Sequence, residues 1–393
     1  MKNIYFDHAA TTPVDPKVLN KMLPYFTEVF GNANSQHYFG REAVGAVDEA
    51  RDSIAKIINC KPSELYFTSG GTESDNWALR GVAGAYKEKG KHIIISPIEH
   101  AAMITTAKIL AKQGFEIEYM KVDEDGFVDL DHLKSIMRKD TILVCCMLAN
   151  NEIGTIEPVR EIAEIAHEYG ALVFTDAVQA AGVIKTDVKE LGVDLMSMSS
   201  HKIYGPKGVG ALYIRNGIRL ESVITGGHQE RTKRGGTTNV CGVVGFSEAF
   251  KIANEEREKN FEYVSGLRDR FIDRVLAEIP YVKLNGPREN RLPANADFSF
   301  KYIEGESILY SLDLAGISVS SGSACSSGSL EPSHVLLAIG LPEGLAHGSI
   351  RFSFGKHNTI EEINYAVDVL RDSVKRLREM SPLFNAKGEL KNV

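Results

Sequence analysis

The sequence predicts an α/β protein in which helices cover the mostly parallel sheet of a large domain, with a smaller α+β C-terminal domain beside it. Between residues 60 and 215, short apolar runs of the β type alternate with amphipathic segments of helix length. The chain has 393 residues, of which 43% are hydrophobic and 25% are charged. That length suits two or three folding units, and the composition is typical of a folded globular protein rather than a disordered or fibrous one.

Six short segments are predicted to be strands, because most are apolar on both faces, as buried parallel strands are. In chain order they are Leu65–Thr68, His92–Ser96, Ile142–Cys146, Leu172–Thr175, Leu195–Ser199 and Gly210–Ile214. A helix is predicted over Val159–Tyr169, where apolar residues recur at helical spacing and Gly170 ends the pattern. The repeated strand–helix–strand order predicts one continuous sheet.

A domain boundary is predicted near residue 257. The charged segment Phe250–Arg274 mixes Glu with Lys and Arg, which predicts one long surface helix that leaves the sheet domain. The large domain should therefore span residues 15–257, and the small domain residues 1–14 and 258–393. The stretch Ala9–Pro13 has no helical period, and we expect it to cross between the two lobes.

The charge balance and the cysteines limit the partners and the compartment. Lys and Arg number 45 against 52 Asp and Glu, a net charge of −7 that argues against nucleic acid as the main partner. The longest apolar run, Ile142–Ala149, is far shorter than the ~20 residues of a membrane-spanning helix, and Met1–His8 lacks the apolar core of a signal peptide. Five scattered cysteines fit reduced thiols. We therefore expect a cytoplasmic protein that does not act at a membrane.

Polar residues follow several predicted strands, and in an open α/β sheet ligands bind at these carboxyl ends. The first strand leads into Thr68–Asn76, a turn of small residues that opens a helix. Its N–H groups and the Thr72 hydroxyl suit a phosphate group, with an ordinary capped helix as the alternative. His100 follows the second strand, where a hydrogen-bonded structural histidine is the alternative to a functional ring.

The segment Ser199–Gly208 is the most informative local motif. Lys202 lies at a strand end beside His201 and a glycine-rich turn, which suits Schiff-base chemistry, whereas a solvated surface lysine is the alternative. Asp176 lies 26 residues earlier at another strand end, where it could keep a heteroaromatic ring nitrogen protonated or merely cap a helix. A Schiff-base lysine, this carboxylate and a phosphate-binding turn together predict a pyridoxal 5'-phosphate (PLP) site.

Two further residues with possible chemistry lie in the second lobe. Cys325 stands among small residues in Val319–Leu330, which indicates a reactive thiol, the alternative being a plain connecting loop. The segment His347–Gly355 is predicted to be a short strand carrying Arg351, whose guanidinium can bind a carboxylate through two hydrogen bonds or form a surface ion pair. The remaining cysteines lie in apolar or helical contexts and are predicted to be inert: Cys60, Cys145, Cys146 and Cys241. No metal site is expected, because no Cys and His cluster has ligand spacing.

Together these segments resemble the cysteine desulfurases of the NifS/IscS type, in the class V branch of the fold-type I PLP enzymes. The resemblance covers nearly the whole chain, from Tyr5–Thr12 to the strand of Arg351. Its most specific motifs are Phe67–Ser74, Ser199–Gly208 and Ser321–Cys325. The resemblance implies a fold-type I PLP-dependent transferase fold.

The resemblance also implies a role for each site residue. Lys202 would hold the cofactor covalently, Asp176 would pair with the ring nitrogen, and Gln179 would bond the ring hydroxyl. His100 would stack on the ring, and it would be catalytic together with Lys202 and Cys325. The remaining matches are the phosphate-binding positions Gly71, Thr72, Ser199 and His201, and the substrate-carboxylate positions Asn151 and Arg351, of which Asn151 is also expected at the cofactor.

A homodimer is implied by one further segment. Arg234–Thr237 resembles a family loop that reaches into the phosphate site of the partner subunit, with Thr237 as the matching residue. The family commonly has Ser at the position of Gly235 and Gly at that of His228. These departures concern the cross-subunit loop and not the cofactor.

The implied reaction converts L-cysteine to L-alanine and leaves a persulfide on Cys325, supplying sulfur for iron–sulfur cluster assembly or related trafficking. Expected partners are L-cysteine, a second copy of the chain and a sulfur acceptor such as an iron–sulfur scaffold protein. Within the same fold, an aminotransferase or a selenocysteine lyase is the alternative, and neither needs Cys325. A noncatalytic sulfur carrier is a further alternative, although it would be expected to lack Lys202 or Asp176. The acceptor pathway stays open between general iron–sulfur assembly, nitrogenase maturation and tRNA thiolation.

Overall fold

The structure of the chain is a computed structural model that describes residues 3–321, 332–382 and 384. Its strands are β1 (Ile4–Tyr5), β2 (Leu65–Thr68), β3 (His92–Ile95), β4 (Glu116–Tyr119), β5 (Thr141–Cys145), β6 (Leu172–Asp176), β7 (Leu195–Ser199), β8 (Gly210–Ile214), β9 (Val282–Asn285), β10 (Asn295–Phe300), β11 (Ile317–Ser318), β12 (Ser320–Ser321) and β13 (Ser349–Ser353). Its α-helices are α1 (Pro16–Met22), α2 (Pro24–Thr27), α3 (Tyr38–Ile57), α4 (Gly71–Tyr86), α5 (Ala101–Lys112), α6 (Leu130–Ile136), α7 (Val159–Glu168), α8 (Val188–Leu191), α9 (Val240–Glu255), α10 (Arg257–Glu278), α11 (Gly305–Leu314), α12 (His334–Ala338), α13 (Glu343–Ala346) and α14 (Ile360–Met380).

The central sheet has seven strands in the order β2-β8-β7-β6-β5-β3-β4. The strands from β7 to β4 run parallel to one another, and β8 runs antiparallel to both β7 and β2. All six predicted strands are present, and their bounds agree to within one residue. The predicted α/β class with a mostly parallel sheet is therefore confirmed.

Helices cover both faces of this sheet. Alternate residues of each strand point to opposite faces, and the adjacent cysteines Cys145 and Cys146 show the result, because they belong to two different apolar clusters. The cluster around Cys145 contains Trp77 of α4 and Met103 of α5. The cluster around Cys146 contains residues of α3, α7 and α9. The strands are thus buried on both sides, which explains their continuous apolar runs.

A second sheet, in the order β12-β13-β10-β9, is antiparallel, and β1 pairs with β11 beside it. Its apolar cluster joins these strands to α10, α11 and α14. After β1 the chain crosses to the large sheet, where the N–H of Thr12 donates to the carbonyl of His201 at 3.0 Å. The predicted division at residue 257 stays a prediction.

The predicted single helix over Phe250–Arg274 is wrong, because the chain forms two helices that meet at Glu256. The N–H of Glu256 donates to Ile252 and ends α9, while its carbonyl accepts from Asn260 and opens α10. Phe250 is fully buried in the large core rather than on the surface. Charged residues continue across the break, so the charge pattern could not reveal it.

Candidate active site

The carboxyl ends of β6 and β7 open into a cavity of about 310 Å³, a size in the range of small-molecule sites. Residues from the N-terminal crossing, the large sheet and β13 line it. They are Ala9, Ala10, Gly71, Thr72, Asp75, His100, Met147, Asn151, Asp176, Val178, Gln179, Ser199, His201, Lys202 and Arg351. Every predicted site residue except Thr237 and Cys325 therefore lines one cavity.

Lys202 enters the cavity from a short 3-10 helix, Ser200–Lys202, that directly follows β7. Its Nζ donates to the carbonyls of Ala9 and Ala10 at 2.7 and 2.8 Å. The crossing segment thus fixes the amine of Lys202. Gln179 holds the same segment, since its Nε2 donates to the Ala9 carbonyl at 2.9 Å.

His100 is the N-cap of α5, and its Nδ1 accepts the N–H of Ala102 at 3.2 Å. Burial lowers the pKa of His100; nearby Asp176 raises it, and Lys202 and His334 lower it. The ring is therefore neutral at neutral pH. Because Nδ1 accepts a hydrogen bond, the proton of the neutral ring lies on Nε2.

Asp176 ends β6 and is 4% exposed, and its Oδ1 accepts the N–H of Val178 at 2.8 Å. Burial raises the pKa of Asp176, whereas His100, Lys202 and the Val178 N–H lower it. Burial is the larger effect, so the pKa of Asp176 is raised overall, while the positive charge of Lys202 and the Val178 N–H favour its ionised form. A cationic ring nitrogen placed beside Asp176 would favour the carboxylate further.

Two further buried carboxyl groups lie near Asp176, and sequence reasoning missed both. Asp75 of α4 is 1% exposed, lines the cavity and has an Oδ1 atom without a hydrogen-bond partner among the described residues. Glu99 is fully buried, and its Oε1 accepts the N–H of Met147. Burial and the Asp176 charge raise the pKa of Asp75 and of Glu99 well above the usual range. Both therefore stay protonated beside an ionisable Asp176.

The N-terminus of α4 forms one wall of the cavity. Gly70 adopts a φ of 152°, which favours glycine, and α4 begins at Gly71. Within the described residues, no acceptor contacts the N–H groups of Gly71 and Thr72. A Cβ at Gly71 would lie 2.7 Å from Cγ2 of Val178, so no larger residue fits without a shift. The helix start is therefore a close-fitting cradle with free donors, which suits an anion.

The two other predicted phosphate positions lie beside this cradle. Ser199 ends β7 and is 2% exposed. The Nδ1 atom of His201 lies 3.1 Å from the Thr11 hydroxyl. Burial, together with Lys202 and Lys207, lowers the pKa of His201 to about 4, so its ring is neutral.

Arg351 of β13 is 2% exposed and reaches the cavity from the second sheet. Its Nη1 donates to the carbonyl of Asn151, and its Nη2 donates to Oδ1 of Asp7, each at 3.1 Å. Its buried Nε has no partner among the described residues. The guanidinium thus keeps donors for a further acceptor, and the ion pair that it makes with Asp7 lies in the interior rather than on the surface. Asp7 was not predicted, although its motif Tyr5–Thr12 was recognised.

The remaining predicted residues lie elsewhere. Thr237 is exposed and lines a different cavity together with Ser69 and Arg234. Cys325 lies outside the described residues.

Burial raises the pKa of Cys60 to about 12 and that of Cys145 and Cys146 well above the usual range, so these three thiols stay protonated.

Neither a metal site nor a membrane span appears in the part of the chain that the structure describes. No group of three or more His, Cys, Asp or Glu side chains there could hold a metal ion. None of the helices there is both long and apolar enough to cross a membrane.

The residues present fit PLP on independent points. The amine of Lys202 suits an aldehyde, the buried Asp176 carboxylate suits a protonated ring nitrogen, and the cradle at Gly71 suits a phosphate. All three line one cavity. The fold and the site together fit the class of PLP-dependent enzymes.

Comparison with known proteins agrees with this description of the site. The family described as Aminotransferase class-V matches residues 4–366. "Cysteine desulfurase IscS" of Dictyoglomus turgidum is 56% identical over 381 residues, covering 97% of each chain. A protein of that name from Methanosarcina thermophila is 50% identical, covering 97% of this chain and 94% of its own. A solved structure titled "NIFS-LIKE PROTEIN" has a TM-score of 0.90 and 39% identity over 95% of this chain and all of its own.

The chain therefore belongs to the class V aminotransferases and, among them, to the cysteine desulfurases. The expected fold and family are both confirmed.

Proposed function

We propose that this cysteine desulfurase converts L-cysteine to L-alanine with the residues of the described cavity and passes the sulfur to Cys325. One observation carries the proposal: a single buried cavity unites the Lys202 amine, the Asp176 carboxylate, the free helix start at Gly71 and a partly unpaired Arg351. An aminotransferase would need the same cavity without Cys325, and the similarity to desulfurases favours the present assignment.

The cofactor of the family would be held by residues that the cavity already brings together. The phosphate-binding group comprises Gly71, Thr72, Ser199 and His201, and the ring-binding group comprises His100, Asp176 and Gln179, with Lys202 as the covalent anchor and Asn151 beside it. When bound, PLP supplies the electron sink that weakens the Cα–H and Cβ–S bonds of the amino acid.

Proton transfer in the cavity is assigned to Lys202 and His100. Lys202 can take the Cα proton of the substrate once its amine is free, because the crossing segment fixes that amine at the cavity wall. His100 has its single proton on Nε2, so its neutral form can donate a hydrogen bond to a reacting atom, and it can transfer a proton once the ring has itself taken one up. Asp176 would pair as a carboxylate with the protonated ring nitrogen and so keep the positive charge of the bound ring in place.

The substrate carboxylate is assigned to Arg351. Its Nε–H has no partner among the described residues, and its other contacts to Asp7 and Asn151 fix the plane of the guanidinium. A carboxylate that takes two of its remaining N–H groups would be oriented as well as bound. This contact would select amino acids over simple amines.

Sulfur transfer to Cys325 balances without a further reactant. The Cβ–S bond of L-cysteine breaks and an S–S bond forms to Sγ of Cys325; the products are L-alanine and the Cys325 persulfide, and the protons are conserved between them. Ser320 pairs with Arg351 in the β12–β13 register. Cys325 follows Ser321 by four residues, and a stretch of four residues spans at most about 14 Å.

The test is to incubate the purified protein with L-cysteine and a thiol reductant and to measure alanine, sulfide and the persulfide by mass spectrometry. Wild type should give alanine and sulfide in equal amounts over many turnovers. Cys325→Ala should bind PLP and L-cysteine but form no persulfide, whereas Cys60→Ala should match wild type because that thiol lies outside the cavity. Full sulfide release by Cys325→Ala would remove the assigned role and favour a lyase.

The functional unit is proposed to be a homodimer in which Thr237 completes the phosphate site of the partner. Within one chain Thr237 does not line the Lys202 cavity. A group of large apolar side chains is exposed near the N-terminus and would suit burial against a second copy: Leu19, Leu23, Phe26, Phe30, Tyr38 and Phe39. Phe30 and Phe39 stack at 5.2 Å between ring centroids while exposed by 61% and 46%.

Hybrid dimers test this arrangement directly. Mixing Lys202→Ala and Thr237→Ala chains should restore activity, because one site of each hybrid then has its own Lys202 and the partner's Thr237. Random assortment would give about a quarter of the wild-type activity. If Thr237 acted within its own chain, mixing would restore nothing.

The proposal extends to a sulfur-acceptor protein, such as an iron–sulfur scaffold, that takes sulfur from Cys325. The net charge of −7 supports a protein acceptor over nucleic acid as the main partner. The unpaired described cysteines support a cytoplasmic location. Iron–sulfur assembly, nitrogenase maturation and tRNA thiolation are distinguished by supplying each acceptor to the persulfide-loaded enzyme.

A further inference from the structure

The chain that follows the cysteine segment packs onto the large sheet beside the cavity. The described residues resume at Pro332, and α12 begins directly after its N-cap, Ser333. Val335, Leu336 and Ile339 join one buried apolar cluster with Ile98 and with two residues that follow β5, Met147 and Ile153. Ile98 lies two residues before His100, and Met147 lines the cavity. This packing places residues 333–339 against the backbone that carries the site.

His334 makes a hydrogen bond to that backbone. Its Nε2 lies 2.9 Å from the carbonyl oxygen of Glu99, in the peptide that leads into His100. A carbonyl oxygen only accepts, so Nε2 of His334 carries the proton and donates it. His334 is also near enough to His100 to contribute to the lowering of its pKa.

Ser333 makes a parallel contact one residue earlier. Its hydroxyl donates to the carboxylate of Glu152 and accepts the N–H groups of Val335 and Leu336 at 3.1 and 3.3 Å. Ser333 and Glu152 are 5% and 4% exposed. Glu152 directly follows Asn151, whose carbonyl holds Arg351. Two adjacent residues therefore contact the two backbone segments that position the proton donor and the substrate-carboxylate site.

We propose that His334 is a positioning residue for His100, which it orients through the Glu99 carbonyl. The proposal rests on the proposed function, since it concerns the residue assigned to proton transfer. The Nε2–H bond fixes the peptide plane before His100 and so the direction in which the imidazole enters the cavity. A small misplacement of a reacting group slows catalysis strongly, because proton transfer requires hydrogen-bond contact. His334 follows Cys325 by nine residues in the sequence, so one short stretch of the chain carries both residues.

The experiment compares His334→Leu, which removes the donor, with His334→Gln, whose side-chain N–H can replace Nε2–H. His132→Leu is the control, because the half-buried His132 side chain, like the exposed His334, makes one hydrogen bond to backbone, at 3.2 Å from the Lys121 N–H, but to a segment that carries no residue of the cavity. For each protein we would measure the melting temperature, PLP affinity by absorbance, the KM for L-cysteine and the single-turnover rate of persulfide formation on Cys325.

His334→Leu should lower the persulfide rate and kcat by about five- to ten-fold, the effect of one lost hydrogen bond. KM and PLP affinity should stay within about two-fold, and His334→Gln should recover most of the rate. Ser333→Ala provides a second variant, which should instead raise KM, because Glu152 adjoins the substrate-carboxylate site.

The outcomes distinguish the proposed desulfurase function from the positioning role of His334. Wild type that forms no persulfide on Cys325 overturns the proposed function itself. An active wild type with an unchanged His334→Leu rate overturns only the positioning role. Equal losses of rate, PLP affinity and melting temperature in His334→Leu and His334→Gln also overturn it, because the bond would then be merely structural.

Discussion

Replacing Arg351 with Gln should abolish the preference of the cavity for amino acids over amines. Arg351 is 2% exposed, and two of its five N–H groups are already used by Asp7 and the Asn151 carbonyl. Its Nε–H has no partner among the described residues. A substrate carboxylate that accepts Nε–H and one further N–H forms two charged hydrogen bonds, each worth about 1.5–3 kcal/mol.

Two such bonds contribute at least about 3 kcal/mol, which corresponds to about 150-fold in affinity or kcat/KM. The assay measures kcat/KM for L-cysteine and the dissociation constants of L-alanine and ethylamine, which differ in the carboxylate, from the absorbance of the bound cofactor. Wild type should prefer L-alanine strongly, and Arg351→Gln should bind both about equally.

An equally buried arginine outside the cavity provides the control. Arg378 is 3% exposed and donates to the carbonyls of Pro280 and Lys301. Arg378→Gln should lower the melting temperature while leaving the alanine preference intact. If Arg351→Gln kept that preference, the carboxylate would bind elsewhere and the assignment of Arg351 would be refuted.

Three further predictions follow from the same cavity and its surroundings. Lys202→Ala should abolish the absorbance of lysine-bound PLP, and an unchanged spectrum would contradict its role as the anchor. Asp75→Asn should keep PLP affinity within about three-fold, because its carboxyl is already neutral. Asp176→Asn should lower PLP affinity more than ~100-fold, because the ring nitrogen loses its buried charge partner. Equal losses of affinity would contradict a neutral Asp75 beside a charged Asp176. Burial raises the pKa of Glu157 from 4.5 to about 8, so its contribution to stability is full below pH 4.5 and lost as the pH rises through 8. Glu157→Gln should therefore raise the melting temperature at pH 9, where the gain in unfolding free energy is up to a few kcal/mol, and change it little at pH 4. Equal shifts of the melting temperature at pH 4 and pH 9 would count against a buried charge on Glu157.

The strands were predictable because burial on both faces leaves a direct trace in the sequence. Leu65–Thr68 and Leu195–Ser199 agree with β2 and β7 in full. Asp176 and Lys202 could be placed together because both follow strands whose carboxyl ends lie at one edge of the sheet. Local pattern and the general geometry of parallel sheets are sufficient for that part of the site.

The parts that were missed depend on contacts between distant segments. Asp7 accepts a hydrogen bond from Arg351, which lies 344 residues away in the sequence, and no local sequence pattern indicates such a pair. Asp75 stands in a turn that was recognised, but its burial beside Asp176 depends on how α4 packs against the sheet. The break at Glu256 was hidden because charged residues continue through it.

The three buried carboxyl groups explain how the cavity can hold one negative charge at a chosen place. Three adjacent carboxylates would repel one another in a medium of low polarity, so the site must keep some of them protonated. Asp176 has Lys202 and the Val178 N–H to stabilise its charge, whereas burial and Asp176 itself act against ionisation of Asp75 and Glu99. A negative charge is therefore least costly on Asp176, while Asp75 and Glu99 stay protonated beside it.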